Sequence, residues 1–227
     1  MLEKLLTLLF PRRCVGCQTS GSYLCTICRE ELEPATDPDT PHTHAVFSYR
    51  EPLIRTLVKK LKYKKTKDVA HTIADILYDY FLEEISEINQ LSPTVISPED
   101  KILVIPVPMH PLRMKERGYN QALEIAKHFA HKDPTHLSLV VNLLIKTRST
   151  DSQVTVKNRS KRLANLKNAF AVNKISRLNL PAQAGLDETL IILIDDVITT
   201  GATMEEAMRT LKQAGARHVV GLALAHG

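Results

Sequence analysis

Tryptophan is absent from the 227 residues, and aromatic side chains of every kind amount to only 5%. A base-stacking surface for single-stranded nucleic acid draws on such rings and would have few to build with. Long apolar runs are missing as well, none approaching the roughly 20 residues that cross a bilayer as a helix. The opening decapeptide sets Leu2, Leu5, Leu6 and Leu9 at helical spacing before Pro11. It lacks the longer apolar stretch and small-residue cleavage site of an export signal. It reads as a short amphipathic helix that packs on its own protein or rests on a membrane surface, such as the inner membrane. The expected location is the cytoplasm, with no transmembrane segment. No internal repeat is present. Strong charge imbalance is lacking too: 30 basic against 25 acidic residues leave +5 and a pI near 9.0. That permits a polyanionic partner without requiring one.

Cysteine is scarce and confined to one end. All four fall in Cys14-Val15-Gly16-Cys17 and Cys25-Thr26-Ile27-Cys28. Two CxxC turns present four thiolates to one ion, the donor set of a structural zinc site with no open position. The seven-residue spacer leaves room for a small knuckle only. Paired disulfides are the rival where an export signal exists, and a redox CxxC needs only one pair. His42 and His44 follow nearby, but four sulfurs already close a tetrahedral shell. Such a segment has almost no core of its own, so metal binding is expected to supply much of its folding.

Glu33 to Thr43, with three prolines and three acids, reads as a linker. Beyond it the pattern predicts a strand at Val46–Tyr49, helices over Leu53–Leu61 and Val69–Ile88 with Thr66 or Asp68 as cap, and a loop over Gln90–Asp100. It then predicts strands at Ile102–Ile105, Leu139–Ile145, Leu190–Ile194 and Val219–Leu224, with helices over Asn120–His131 and Thr203–Ala214. This alternation argues for a parallel sheet covered by helices.

The most informative stretch is Ile191-Ile192-Leu193-Ile194-Asp195-Asp196-Val197-Ile198-Thr199-Thr200-Gly201-Ala202-Thr203. A buried strand delivers two carboxylates to the carboxyl edge of the sheet, where open α/β sheets take ligands. A loop of small and hydroxyl residues then opens a helix, whose first N–H groups and positive dipole end form an anion cradle. Thr203 and Glu206 also fit a capping box, which would make the loop a plain helix start. Neither GxxxxGK[ST] nor GxGxxG is present. The stretch closely resembles the phosphoribosyl-pyrophosphate motif of type I phosphoribosyltransferases. That resemblance implies that Asp195 and Asp196 meet the ribose hydroxyls and that Thr199, Thr200, Gly201, Ala202 and Thr203 hold the 5′-phosphate. Magnesium would bridge ribose and pyrophosphate oxygens.

Further residues narrow the match. Pro106-Val107-Pro108 leads to Arg113, Arg117, Gly118, Asn120 and Gln121. A polar segment with Arg148, Gln153, Arg159, Arg162 and Asn165 ends in Ala169-Phe170. Together with the knuckle and the loop, this is similar to the ComF family of competence proteins, the ComFC type included. The expected organisation is an amphipathic helix and zinc knuckle over 1–33, a linker over 34–45 and an α/β, type I phosphoribosyltransferase-like domain over 46–227. The resemblance implies handling of single-stranded DNA in natural transformation, in company with the ComFA helicase.

Read on their own chemistry, Arg113 and Arg117 suit pyrophosphate or form a solvated basic loop. Arg148, Arg159 and Arg162 belong to a segment that could close over a phosphate, follow a nucleic-acid backbone or be plain surface. Lys59, Lys60, Lys62, Lys64, Lys65 and Lys67 surround Tyr63, as a positive groove for single-stranded DNA would, or as a solvated helix end would. DNA handling, phosphoribosyl transfer to an unassigned acceptor and sugar-phosphate sensing all stay open.

Overall fold

The structure, a computed structural model, describes residues 11–36, 41–63, 68–91, 101–148, 166–178, 180 and 186–227. The expected Met1–Phe10 helix and most of the Gln90–Asp100 loop lie outside these residues. Among the described residues no helix is long and apolar enough to cross a membrane.

Five strands form one parallel sheet in the order β1–β7–β6–β2–β3, from β1 (Thr43–Ser48), β7 (His218–His226), β6 (Leu190–Ile198), β2 (Ile102–Pro106) and β3 (Leu137–Leu139). Ile191 to Ile194 are fully buried in the central strand, as a parallel sheet covered on both faces requires. One core lies where α2 (Pro52–Tyr63), α3 (Val69–Leu91) and α5 (Gln121–Ala130) pack, with Ile192 and Ile194 pointing into it. Leu103, Ile191 and Leu193 point to a second core, which α7 (Ala202–Gln213) shares with the antiparallel pair β4 (Leu144–Lys146) and β5 (Phe170–Val172). Short helices α1 (Thr26–Glu30), α4 (Pro111–Arg117) and α6 (Lys174–Leu178) complete the described elements.

The structure departs from the expectations at several points. The single strand over Leu139–Ile145 is two strands in different sheets. Val140 still donates to the Val104 carbonyl, then Asn142 turns the chain at φ 66, a left-handed conformation asparagine tolerates. The stretch holding Arg113 and Arg117 is helix α4, with Pro111 in its first turn, His110 capping its Leu112 N–H and Gly118 closing it at φ 80. The strand expected to stop at Ile194 runs on through Ile198, so the two acids lie within it. The capping box at Thr203 does not form: Gly201, at φ 74, is the residue before α7, and Glu206 bonds elsewhere. Part of the segment read as a linker lies along β1, with Pro34 bridged to Phe47 and the Ala35 N–H bonded to the Val46 carbonyl.

The cysteine knuckle is fastened to this body. Cys14, Leu24 and Cys28 are buried in the same core as Ile54, Leu57 and Ile73. Arg12 grips both oxygens of Asp68, the residue just before α3, at 2.5 Å. Arg29 meets Asp79 at 2.6 Å, and the Tyr23 N–H donates to the Thr72 hydroxyl at 3.3 Å.

Candidate sugar-phosphate site and metal centre

At the carboxyl edge of the sheet, β2 ends on prolines and its pairing with β6 stops at Ile194, where the Val107 N–H makes the last bond. Beyond that point two β6 amides are satisfied by the acids themselves. The Asp196 N–H donates to Asp195 Oδ1 at 2.8 Å, and the Val197 N–H to Asp196 Oδ1 at 2.9 Å. These bonds hold both carboxylates against the strand. Ile198, Thr199, Gly201, Thr203 and Met204 line a small hollow that Asp195 also walls. Thr199 is exposed and Thr200 and Thr203 half-buried, while the first turn of α7 has N–H groups without intrahelical acceptors. Met204 sits on Gly221 of β7, where a Cβ would meet its Cγ at 2.7 Å, so the start of α7 rests directly on the sheet.

The charges around the acids come from three elements. Lys62, near the end of α2, places Nζ 2.8 Å from Asp196 Oδ2. Lys146 on β4 lies within electrostatic reach of Asp195 and Arg113; burial and the Arg113 guanidinium hold it below the usual lysine range, with Asp195 offsetting only part. Arg117 on α4 acts on Lys62, and its guanidinium donates to Gln121 Oε1 at 3.4 Å. Asp195 is pushed up to about 7, first by burial and then by the neighbouring Asp196. Lys62 stays above the usual lysine range despite burial, because Asp196 and Asp195 hold its proton. The site can therefore accept from hydroxyls at the acids and donate to phosphate oxygens from the loop and the cations.

The expected residues divide unevenly. Asp195, Asp196 and the loop Thr199–Thr203 come together, with Arg113 and Arg117 on the adjoining helix. Arg148 is exposed after β4; Arg159 and Arg162 lie outside the described residues. The lysine cluster is split. Lys59 is exposed, Lys60 sits 5.9 Å from the Tyr23 ring centroid, and Lys62 turns inward to Asp196. Lys64, Lys65 and Lys67 lie outside the described residues. Lys146 was not expected here; nothing in its local sequence distinguishes it.

The four cysteine sulfurs all lie within 4.8 Å of one another, with Cys17 and Cys25 at 3.5 Å. Four ligands about 2.3 Å from a tetrahedral ion stand just under 4 Å apart, so the cluster could hold one metal ion. The Gly16 and Cys25 N–H groups each point at Cys14 Sγ at 3.4 Å. A Cβ on Gly16 would meet Cys28 Sγ at 2.8 Å, so only glycine fits there. Without an ion the thiols compete for protons: the Thr19 hydroxyl and backbone draw Cys17 down to about 6, while Cys25 and burial push Cys28 up to about 12. His42 and His44 take no part; the His44 ring packs 6.3 Å from Tyr80.

A phosphoribosyl transferase domain model matches residues 116–227, which contain the acids, the loop and α7. Competence protein F of Haemophilus influenzae is 28% identical over 207 residues, covering 91% of this chain and 81% of that protein. DNA utilization protein YhgH of Salmonella typhi is 30% identical over 175 residues, 77% of this chain and 67% of the relative. The chain belongs to the ComF-like family. The YhgH protein of Escherichia coli O157:H7 is 29% identical over 91% of this chain and 86% of its own length.

Proposed function

We propose that this ComF-like protein binds phosphoribosyl pyrophosphate with magnesium at the β6–α7 loop and handles single-stranded DNA during DNA uptake. The observation that carries the first half is the convergence at one sheet edge of Asp195, the threonine-glycine loop and the cationic neighbours Lys146 and Arg113. Two cations crowded beside a single carboxylate suit an incoming pyrophosphate, and the acids suit ribose hydroxyls. Magnesium would arrive with the pyrophosphate and neutralise part of its charge. Relatives named for competence and DNA utilization support the second half. Lys59 and Lys60, beside Tyr23 of the knuckle, offer part of a basic surface for the strand. The cysteine cluster holds zinc in a structural role. The protein acts in the cytoplasm or at the inner face of the inner membrane, with a ComFA-type helicase as partner.

Titration of labelled single-stranded DNA at two salt concentrations, with and without phosphoribosyl pyrophosphate and magnesium, tests this reading. Binding that weakens steeply with salt supports DNA handling, and a change on adding the sugar phosphate links the two ligands. Absence of binding under all conditions removes the DNA half.

A further inference from the structure

Lys62 lies one residue before the end of α2, in a run of lysines whose chemistry suggests a solvated tip, yet only 20% of its side chain is exposed. Its ammonium sits on Asp196 Oδ2, while Asp196 Oδ1 takes the Val197 N–H, so both oxygens of that carboxylate are engaged. The placement is enforced from outside α2. The buried Tyr119 hydroxyl donates to the carbonyl of Leu61, fixing the helix turn that carries Lys62. Tyr119 is delivered by Gly118, whose left-handed conformation ends α4.

The titratable and charged groups within reach of the acids are Lys62 from α2, Tyr119 from the α4–α5 connection and Lys146 from β4; behind them, Arg113 of α4 acts on Lys146 and Arg117 of α4 on Lys62. Of the cations among them, Lys62 is the one paired with Asp196 at ion-pair distance. A mostly buried ion pair is a poor device for stability, because desolvating both charges consumes most of the attraction. Two adjacent carboxylates with no cation between them share a proton instead, with one acid held neutral well above its ordinary range.

We propose that Lys62 is a positioning residue of the acidic site: it fixes the Asp196 side chain in place from the α2 side and leaves Asp195 as the acid that meets the ligand. The ligand part of this inference rests on the sugar-phosphate reading above; the arrangement of the acids does not. In a strand extending past its β2 partner, the Lys62 contact is what holds Asp196 from the α2 side.

The test uses the full chain with Lys62→Met, Lys62→Arg and Tyr119→Phe. Carbon-13 carboxyl resonances of Asp195 and Asp196 are followed against pH without ligand, and phosphoribosyl pyrophosphate with magnesium is titrated by calorimetry from pH 6 to 9. In Lys62→Met the acids should take up a proton at a pH higher by about one unit or more. Affinity at pH 7 should fall about fivefold, since a one-unit rise from about 7 cuts the ionised fraction there from about a half to about a tenth, and should recover as the pH rises. Lys62→Arg should keep the wild-type profile. Tyr119→Phe, which frees the helix end without removing the charge, should move in the same direction by less, and it carries the test if Lys62→Met fails to fold. A carboxyl titration unchanged in both Lys62→Met and Tyr119→Phe overturns the inference. Shifted carboxyls in a protein that never binds the sugar phosphate would uphold the positioning of the acids and defeat the functional reading alone.

Discussion

The Asn168 N–H donates to Glu206 Oε1 at 2.6 Å, tying the chain just before β5 to the helix that opens at the threonine-glycine loop. Glu206 is only 7% exposed in its side chain and also receives two bonds from Arg209 at 2.7 Å. Asn168 holds φ 59, a backbone conformation disfavoured for most side chains and compensated here by the bond. Glu206→Ala should cost about 1–3 kcal/mol, because the Asn168 N–H and the Arg209 guanidinium both lose a charged acceptor. A denaturant melt checks this. The Arg209 contact holds the Glu206 carboxyl below its usual range. Its stabilisation is therefore full above the ordinary glutamate value and lost as pH falls through the lowered one. The Glu206→Ala penalty should shrink in acid.

Asp195 works in the opposite sense. Its folded value of about 7 lies above the unfolded one, so its contribution is most favourable in acid and is lost as pH rises through about 7. The stabilising effect of Asp195→Asn should therefore grow between pH 5 and pH 8, by about 1–2 kcal/mol after allowing for the part of the side chain open to water. Thermal melts at the two pH values decide the matter; an equal effect at both would contradict the raised value.

Removing the metal from the knuckle should loosen more than the knuckle. Cys14, Leu24 and Cys28 share a core with Ile54 and Leu57 of α2. Chelation, or Cys14→Ser, should release close to one metal ion per chain, read by elemental analysis. It should lower Tm by about 4 °C or more, the shift that roughly 2 kcal/mol produces in a chain of this size. Loss of the ion with an unchanged melt would show that the Arg12–Asp68 and Arg29–Asp79 pairs hold the knuckle by themselves.

The divided lysines should separate in DNA binding. Lys59→Ala and Lys60→Ala should each lower oligonucleotide affinity and flatten the dependence on log salt by about 0.7, the share of one phosphate contact on a single strand. Lys62→Met should leave that slope unchanged, since its charge is already spent on Asp196. Equal slope changes for all three would place Lys62 on the DNA surface.

The parts of the fold legible in the amino-acid sequence are those set by local pattern. The wholly apolar runs before Pro106 and Asp195 marked buried parallel strands, and two CxxC pairs marked a cluster of four sulfurs. The acids and the threonine-glycine loop marked one edge of the sheet. What was not legible depends on tertiary partners. Lys62 looks like its solvated neighbours until Tyr119 fixes the end of α2 beside β6. Lys146 has no distinguishing context until β4 pairs with β5, which follows it by more than twenty residues. The Leu139–Ile145 run is apolar but for Asn142, and it is the left-handed backbone of that residue that shows where the chain leaves one sheet for another. Thr203 and Glu206 match a capping pattern, yet Arg209 and Asn168 outcompete it for the glutamate.

The most direct test of the sugar-phosphate site is a calorimetric titration of phosphoribosyl pyrophosphate with magnesium into wild-type protein and into Asp195→Asn at pH 8. Asparagine keeps the side-chain shape and spares the Lys62–Asp196 pair, so the fold stays intact. Saturable binding to wild type, weakened about tenfold or more in the variant, is the predicted result, since hydrogen bonds from ligand hydroxyls to a charged acceptor are the strong ones. No binding to wild type, or equal affinity in the two proteins, would contradict it.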